Sequence, residues 1–242
     1  MKIEKESLLH LLFPPRCPFC DGILFYSIFL PAEPVCSRCL GRQEYAREPV
    51  CQKCGKPLED EREEYCYDCS RKDCEYVQGK ALWVYKGAVR DSLYRFKYCG
   101  RREYAGYYGR ELARVYGGWI RRCGIQAIVP IPLSRKRLRQ RGFNQAELIA
   151  EQVGKEMGIP VYSHLLFRIR DTRAQKELND EERKNNLKRA FKTRANKVQL
   201  DHILLIDDIY TTGSTMNEAA KELKQAGADR IYCLSISIGR GY

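Results

Sequence analysis

Residues 203–215 read ILLIDDIYTTGST, and they carry the most specific fold signal in the chain. Its apolar start predicts a buried strand over His202–Ile206, and two neighbouring acids, Asp207 and Asp208, follow the strand's end. A Thr-Thr-Gly-Ser-Thr turn then opens a helix predicted over Ser214–Gln225. Ligands of open α/β sheets bind where parallel strands end and the chain turns over the sheet. The stretch therefore predicts a binding site at the carboxyl end of this strand.

The turn is suited to an anion, and the two acids are suited to a sugar. Gly213 allows the backbone to approach a ligand closely, and the amides at the start of the helix favour a phosphate. Carboxylates accept hydrogen bonds from vicinal hydroxyls and attract Mg²⁺, which prefers oxygen ligands. The alternative is an ordinary strand, turn and helix whose acids are merely solvated.

The same thirteen residues resemble the motif with which type I phosphoribosyltransferases bind 5-phosphoribosyl diphosphate (PRPP). The resemblance implies that Asp207 and Asp208 hold the ribose hydroxyls, with Mg²⁺ nearby. It implies a second set of residues that binds the 5′-phosphate. This set is Tyr210, Thr211, Thr212, Gly213, Ser214 and Thr215.

Strands and helices alternate from about Gly79 onwards. Apolar spacing predicts a helix over Gln145–Met157, and a helical stretch over Ala88–Tyr116 is broken near Gly100. Residues 171–197 are very polar and are predicted to form an exposed excursion with helical pieces. The remaining predicted strands are Lys80–Tyr85, Ala127–Leu133, Leu165–Ile169 and Arg230–Ile238. This alternation predicts an α/β fold with a mostly parallel sheet flanked by helices.

A cationic segment, residues 134–145 (SRKRLRQRGFNQ), follows the second predicted strand and is interpreted as a loop. The diphosphate of PRPP needs donors that strengthen as its bond breaks, and arginine binds phosphate oxygens in pairs. The candidate diphosphate ligands are Arg135, Lys136, Arg139 and Arg141. Two alternatives stay open, namely a solvated basic loop and a loop that binds nucleic acid.

Eight of the 12 cysteines form four C-x-x-C pairs before residue 70. Because the chain shows no secretion signal, this pattern favours zinc over disulfides, with each pair supplying two of four ligands. Two structural zinc ions without an open catalytic position are predicted. Sequential pairing is preferred, although crossed pairing fits the same spacings and Cys74 could replace Cys69. Cys99, Cys123 and Cys233 are predicted to be small core residues. The predicted ligands are Cys17, Cys20, Cys36, Cys39, Cys51, Cys54, Cys66 and Cys69.

The chain is predicted to divide into a small double zinc-ribbon module, residues 1–78, and a phosphoribosyltransferase-like domain, residues 79–242. The module has too few large aliphatic residues for a core of its own, so metal is expected to stabilise it. It carries 11 basic and 14 acidic side chains, hence −3, whereas the larger part carries 32 and 17, hence +15. The positive part attracts phosphates, whether in a small substrate or in nucleic acid.

The sequence gives no sign of a membrane span. The longest apolar run, residues 23–30, is far too short and includes Tyr26 and Ser27. Charged residues 4–6 interrupt any signal-peptide pattern before the short apolar stretch Leu8–Phe13. We therefore expect a cytoplasmic chain without membrane insertion.

Three longer strings carry a closer resemblance to one family. They are VPIPLSRKRLRQRGFNQAELIA (129–150), RDTRAQKELNDEERKNNLKRAF (170–191) and ILLIDDIYTTGSTMNEAAKELKQAGA (203–228). They resemble the ComF family, which pairs a double zinc ribbon with a type I phosphoribosyltransferase-like domain. The resemblance implies a role in natural competence, the uptake of transforming DNA, beside a helicase-like partner. It also implies Mg²⁺-dependent phosphoribosyl transfer, with acceptor contacts around residues 80–110 and 165–195 and an acceptor that the motifs do not identify.

Two non-enzymatic functions stay open. In one, the same fold senses PRPP or a nucleotide without turnover. In the other, it is an adaptor that engages single-stranded DNA or a competence helicase. Bases stack on aromatic side chains, and several aromatic residues are interleaved with Arg and Lys. These are Phe96, Tyr98, Tyr104, Tyr107 and Tyr108.

No residue stands out as a general base, so the catalytic residue is left unassigned. The three histidines, His10, His164 and His202, are scattered along the chain and are expected to be structural or exposed. Asn144 and Glu147 are candidate polar contacts.

Overall fold

Strand β5 (His202–Tyr210) lies inside a four-stranded sheet in the computed structural model of the chain, which describes residues 13–24, 34–169, 190–194 and 199–239. It lies between β2 (Ala127–Pro130) on one side and β6 (Arg230–Ile238) on the other. Strand β1 (Gln78–Val84) pairs with the far side of β6. All three pairings are parallel, which confirms the predicted α/β sheet.

The sheet carries helices on both faces. Helices α2 (Gly87–Tyr98), α3 (Tyr104–Arg122) and α5 (Gln145–Met157) contribute to one apolar core, and α6 (Ser214–Gln225) contributes to the other. The described part of the chain also contains two short helices, α1 (Tyr67–Ser70) and α4 (Arg135–Arg141). Strands β3 (Leu166–Arg168) and β4 (Phe191–Thr193) form a small antiparallel pair.

Alternation along β5 divides its side chains between the two cores. Leu204 and Ile206 join the core with α3 and α5, whereas Ile203 and Leu205 join the core with α6. All four are fully buried. Burial of each such side chain contributes about 1.5–3 kcal/mol, so this strand anchors the whole sheet.

Segments of the cysteine-rich part cover the open edge of β1. The Ala46 amide donates to Leu82 O at 3.0 Å, and the Val84 amide donates to Glu44 O at 2.8 Å. Further along, the Gly79 amide donates to Lys53 O at 2.7 Å. An exposed strand edge would leave such groups unpaired and open to other chains, and here the edge is satisfied internally.

The cysteine-rich part also reaches both faces of the sheet. Cys17 and Cys39 pack in the core with α3 and α5, whereas Cys51 and Cys54 pack in the core with α6. The predicted boundary after residue 78 stays a prediction, and β1 itself begins at Gln78.

Most predicted elements agree with the structure, and two predictions are wrong. Strand β5 continues beyond Ile206, because Asp207 and Tyr210 keep their register with β6. The cationic segment is a helix, α4, and not a loop. Ser134 caps its start by accepting a hydrogen bond from the Arg137 amide, and Gly142 ends it in the left-handed conformation, with φ of 76°.

Three further expectations concern the helical stretch near Gly100, the polar excursion and a membrane span. The helical stretch broken near Gly100 is confirmed as α2 and α3. The predicted excursion at 171–197 lies largely outside the described residues. In the part of the chain that the structure covers, no helix is long and apolar enough to span a membrane.

Candidate functional site

Eight cysteines form two clusters of four. The first tetrad comprises Cys17, Cys20, Cys36 and Cys39, and the second tetrad comprises Cys51, Cys54, Cys66 and Cys69. Within each tetrad the sulfur atoms lie within 4.8 Å of one another. The preferred sequential grouping is the one present, the crossed grouping is not, and Cys74 lies outside the second tetrad.

The sulfur geometry fits zinc. A tetrahedral ion with Zn–S bonds of about 2.3 Å separates its sulfur ligands by about 3.8 Å. The Cys20 and Cys36 sulfur atoms are 3.6 Å apart, and those of Cys54 and Cys66 are 3.7 Å apart. All eight cysteines are free thiols, so each tetrad could hold one structural Zn²⁺ with every position filled.

Glycine at position 55 lets the second tetrad approach the sheet. Gly55 has a φ of 77°, and a Cβ atom there would lie 3.0 Å from Gly79 O in β1. The residue after Cys54 must therefore be small as well as left-handed.

The two acids at the end of β5 share one lysine. The Lys97 ammonium at the end of α2 lies 2.8 Å from Asp208 Oδ2, and both side chains are nearly buried. The Asp208 amide donates to Asp207 Oδ1 at 2.8 Å. Two carboxylates with one directly paired ammonium leave part of the negative charge uncompensated, although Arg168 also attracts Asp207.

This excess charge acts on Asp207. Burial raises the pKa of Asp207 to about 7, and the neighbouring Asp208 carboxylate adds to the rise. Lys97, Arg168 and the Asp208 amide act in the opposite direction. Because a half-protonated acid near neutral pH gains from a cation or hydroxyl donors, the site is suited to a magnesium ion or a sugar.

The turn after β5 presents an uncapped helix. No side chain caps α6, whose N-cap residue is Gly213 with a φ of 76°. By contrast, Asn144 caps α5 through its side-chain oxygen. The hydroxyls of Thr212 and Ser214 lie 2.9 Å apart beside the uncapped amides. We define residues 211–215 as the phosphate loop, since free amides and hydroxyls at a helix start suit an anion.

Tyr210 contributes to this loop in an unexpected way. Its ring is buried and its hydroxyl lies 2.7 Å from the Tyr76 hydroxyl. A Cβ atom at position 213 would lie 2.1 Å from the Tyr210 hydroxyl. The glycine is therefore required by the tyrosine beneath it as well as by its backbone conformation.

The candidate diphosphate-binding cations of α4 differ in exposure and in hydrogen bonding. Arg135, Lys136 and Arg139 are exposed, and in the described part of the chain α4 makes no ion pair with the acids. Arg141 is held: its guanidinium donates to Gln145 Oε1 at 2.9 Å and to the Tyr98 hydroxyl at 3.2 Å. Tyr98 follows Lys97 directly, and Lys97 pairs with Asp208. Arg141 is thus connected to the acids through two neighbouring residues at the end of α2.

The predicted aromatic stacking set needs correction. Phe96, Tyr104 and Tyr108 are fully buried in the core, and Tyr107 is half-buried. Because their helices pack these rings against the sheet, the buried rings contribute to the core and are not accessible for stacking with bases. Tyr98 is exposed, and it pairs with another exposed ring that the sequence did not single out, Tyr94, at 5.1 Å between centroids.

Three further expectations concern polar residues and histidines. Asn144 uses its amide within the fold, since Nδ2 donates to Ile131 O at 3.1 Å while the oxygen caps α5. Glu147 is half-buried in the first turn of α5. His202 bonds to Cys123 O at 2.7 Å and His164 is exposed, as expected, whereas His10 lies outside the described residues.

Of the three cysteines predicted to be small core residues, one is placed wrongly. Cys233 is buried and Cys123 is half-buried, but Cys99 is exposed. It lies just after the last residue of α2, where the chain turns outward before Gly100.

Comparisons with known proteins match both parts of the chain. A model of the double zinc ribbon domain matches residues 8–70, and a model of the phosphoribosyl transferase domain matches residues 140–237. Competence protein ComFC of Streptococcus pneumoniae is 35% identical over 66% of this chain and 68% of that protein. The chain belongs to the ComF family.

Two other relatives of the ComF family agree with this assignment. DNA utilization protein YhgH of Escherichia coli is 33% identical over 62% of this chain and 68% of that protein. Competence protein F of Haemophilus influenzae is 37% identical over 44% of this chain, and the chain spans about half, 47%, of that relative. The parallel sheet is thus that of a phosphoribosyltransferase-like ComF member with a double zinc ribbon.

Two residues of the site were missed by sequence reasoning. Lys97 is separated from Asp208 by more than a hundred residues, and it is one cation among many in its segment. Tyr76 lies beyond the last C-x-x-C pair, where nothing in the local pattern marks it. Both enter the site through tertiary contacts alone.

Replacing Lys97 tests the charge balance of the site. Lys97→Met is expected to lower the free energy of unfolding by about 3 kcal/mol, because it removes the ion-pair partner of buried Asp208 beside a second carboxylate, Asp207. The loss should be smaller in Lys97→Met/Asp208→Asn, where the unpaired charge is also removed. Urea denaturation of the zinc-loaded proteins measures both.

Lys86→Met is the matched control. Lys86 pairs with Glu44 in a largely exposed ion pair, so its loss should cost no more than about 1 kcal/mol. If Lys97→Met were as mild as this control, the inferred role of Lys97 in balancing the acids would be wrong.

Proposed function

We propose that the chain binds PRPP at the carboxyl end of β5 and transfers its phosphoribosyl group to an acceptor. One observation carries the proposal: a central strand bears two carboxylates near its carboxyl end, and a short turn joins it to the uncapped start of a helix. Such a helix start binds phosphate, and carboxylates bind vicinal hydroxyls. A sugar phosphate has both groups in one molecule.

In this proposal each part of PRPP has its own residues. Asp207 and Asp208 accept hydrogen bonds from the ribose hydroxyls. The phosphate loop binds the 5′-phosphate through Thr211, Thr212, Gly213, Ser214 and Thr215, while Tyr210 supports the loop from below. The diphosphate is assigned to the cations of α4, which are Arg135, Lys136, Arg139 and Arg141.

Magnesium fits the same place. One directly paired ammonium only partly compensates the two carboxylates, so a further cation would be favourable. Mg²⁺ prefers oxygen ligands such as those of Asp207 and Asp208. When bound with PRPP, Mg²⁺ would neutralise charge on the diphosphate. No position of the ion beyond this donor set is proposed.

The proposed reaction is a displacement at ribose C1. The bond from C1 to the diphosphate oxygen breaks, the electron pair leaves with diphosphate, and the acceptor forms the new bond to C1. The chain's contribution is to fix the ribose through Asp207 and Asp208 and to stabilise the departing charge through Arg141 and its neighbours. The acceptor and any proton-accepting residue stay unassigned.

Calorimetry with PRPP and Mg²⁺ tests the binding part of this proposal. The zinc-loaded chain is expected to bind, and Asp207→Asn/Asp208→Asn is expected to bind at least about 100-fold more weakly, since two charge-assisted contacts are lost. Asp229→Asn, an exposed acid near the start of β6, should bind as the parent does. Equal binding by the double variant would refute the assignment of the acids.

The pKa of Asp207 gives the binding a predictable pH dependence. Because the carboxylate is the form that accepts hydroxyl donors and attracts Mg²⁺, binding should release the proton that Asp207 holds below about pH 7. Affinity should therefore rise as the pH rises from 6 through 7. Calorimetry in two buffers of different ionisation enthalpy measures the protons released.

Asp207→Asn separates this effect from titration of the ligand's own phosphates. The variant should release fewer protons at pH 6 than the parent and the same number at pH 8. Identical proton release by parent and variant at both pH values would show that Asp207 does not titrate on binding.

Turnover distinguishes an enzyme from a sensor. PRPP binding followed by diphosphate release with some acceptor supports phosphoribosyl transfer. Binding without release across nucleobase, amine and nucleic-acid acceptors would favour a non-catalytic PRPP sensor in the same competence role. The proposed role in competence is supported by the names of two ComF relatives, which are called competence proteins.

Binding of single-stranded DNA is a second candidate function. Tyr94 and Tyr98 are exposed and adjacent, and the Arg141 guanidinium lies 5.1 Å from the centre of the Tyr98 ring. Bases stack on such rings while cations of α4 contact phosphates. A helicase that handles the same strand would be the corresponding protein partner.

Fluorescence anisotropy with oligo(dT) tests this second candidate. Tyr94→Ala and Tyr98→Ala are each expected to weaken binding about tenfold with the salt slope unchanged, because stacking does not depend on phosphate contacts. Tyr162→Ala, which removes an exposed ring elsewhere, is the control. Absence of binding by the parent at low salt would remove the candidate.

A further inference from the structure

Tyr76 joins the second tetrad to the phosphate loop. It follows the cysteine-rich segment closely in sequence, and its ring is almost fully buried in the core that contains Cys51, Cys54 and Cys66. Lys53, between two ligands of the second tetrad, places its ammonium 5.6 Å from the centre of the Tyr76 ring. The position of Tyr76 is therefore tied to the fold of the second ribbon.

The other end of this connection lies beneath the loop. The Tyr76 hydroxyl is 2.7 Å from the Tyr210 hydroxyl, in a buried pair. The Tyr210 hydroxyl in turn lies directly under Gly213, where a Cβ atom would come within 2.1 Å of it. Because no empty space separates these groups, a displacement of Tyr76 must be transmitted to the loop.

A second contact runs parallel to the first. The Glu75 amide donates to the Asn217 side-chain oxygen at 2.6 Å, and the Asn217 amide donates to Gly213 O at 2.8 Å. The segment that follows the second tetrad thus holds both the underside of the loop and the first turn of α6.

The first tetrad has no corresponding contact in the described part of the chain. Beside Cys20, Asp21 accepts hydrogen bonds from Arg101 at 2.7 Å and from the Tyr104 hydroxyl at 2.6 Å. These residues belong to the turn before α3 and to α3 itself, on the other face of the sheet. Tyr104 is therefore the counterpart of Tyr76: a buried tyrosine whose hydroxyl bonds to the residue after a first-tetrad cysteine, on the other face of the sheet from the loop.

We propose that Tyr76 is a positioning residue through which the second zinc ribbon sets the geometry of the phosphate loop. The proposal rests on the proposed function insofar as the loop is taken to bind the 5′-phosphate of PRPP. Two consequences follow. Loss of the Tyr76 hydroxyl loosens the loop, and a ligand in the loop stabilises the second tetrad, because coupling between two sites is reciprocal.

Hydrogen exchange of the zinc-loaded full-length chain tests the first consequence without any ligand. Tyr76→Phe leaves the Tyr210 hydroxyl without its buried partner, so amides of residues 209–217 are expected to exchange about tenfold faster. Tyr104→Phe should leave this segment unchanged. Zinc content, measured on both variants, is expected to equal that of the parent.

Ribose 5-phosphate is the probe for the second consequence. It is expected to bind Tyr76→Phe about tenfold more weakly than it binds the parent or Tyr104→Phe. In the parent it should slow the release of one of the two zinc ions to a chromogenic chelator. This protection should disappear in Tyr76→Phe and persist in Tyr104→Phe.

The outcomes separate this proposal from the proposed function. If the parent does not bind ribose 5-phosphate, the assignment of the loop to PRPP fails, while hydrogen exchange still decides whether Tyr76 positions the loop. Parent-like exchange of 209–217 in Tyr76→Phe would overturn the positioning role. Equal acceleration in Tyr76→Phe and Tyr104→Phe would also overturn it, because the effect would then be general destabilisation.

Discussion

The open edge of strand β1 determines how the cysteine-rich part is placed on the sheet. A strand at the edge of a parallel sheet has unpaired backbone groups on one side, and here Glu44, Ala46 and Lys53 satisfy them. Because Glu44 and Ala46 lie between two cysteine pairs and Lys53 lies within the next pair, the ribbons are placed by the same hydrogen bonds that complete the sheet. One tetrad consequently reaches each face, and the second shares its core with Tyr210 at the end of β5.

The charge of the binding site follows from where the sheet places it. Backbone pairing with β6 carries β5 past its apolar residues, so Asp207 and Asp208 are held within the fold rather than left in solvent. Burial of neighbouring carboxylates is unfavourable unless a cation compensates, and Lys97 supplies only part of the compensation. The partly compensated carboxylates lie near the uncapped helix start, and this combination supports the proposed ligand with both hydroxyls and phosphate.

Local sequence patterns predicted most helices and strands, whereas they could not predict contacts between segments that are distant in sequence. The strand, turn and helix from His202 to Gln225 could be predicted because hydrophobic runs and turn residues are local signals. Helix α4 was missed because seven residues rich in cations carry no apolar periodicity, although Ser134 and Gly142 are ordinary cap signals. Spacing narrowed the zinc pairing but did not decide it, since crossed pairing uses the same C-x-x-C pairs and doubling a loop costs only about 0.6 kcal/mol.

Side-chain roles at the site depended even more on tertiary structure. Tyr210 belongs to a motif typical of phosphate binding, yet its ring faces Tyr76 and supports the loop from beneath. Three aromatic residues that alternate with basic ones belong to the core, because a helix packed on a sheet buries one face whatever the neighbouring charges. Helical periodicity separates the two kinds: Tyr108 lies four residues before buried Leu112, whereas exposed Tyr98 lies two residues after buried Phe96.

The central claim is that the end of β5 and the start of α6 together form a ribose-phosphate site. A crystal structure of the zinc-loaded chain grown with PRPP and Mn²⁺, with the manganese located by its anomalous signal, tests it most directly. We expect the 5′-phosphate on the amides of residues 213–216, the ribose hydroxyls on Asp207 and Asp208, and manganese beside these carboxylates. Phosphate bound elsewhere, or an empty loop with Lys97 still paired to Asp208, would refute the proposed site.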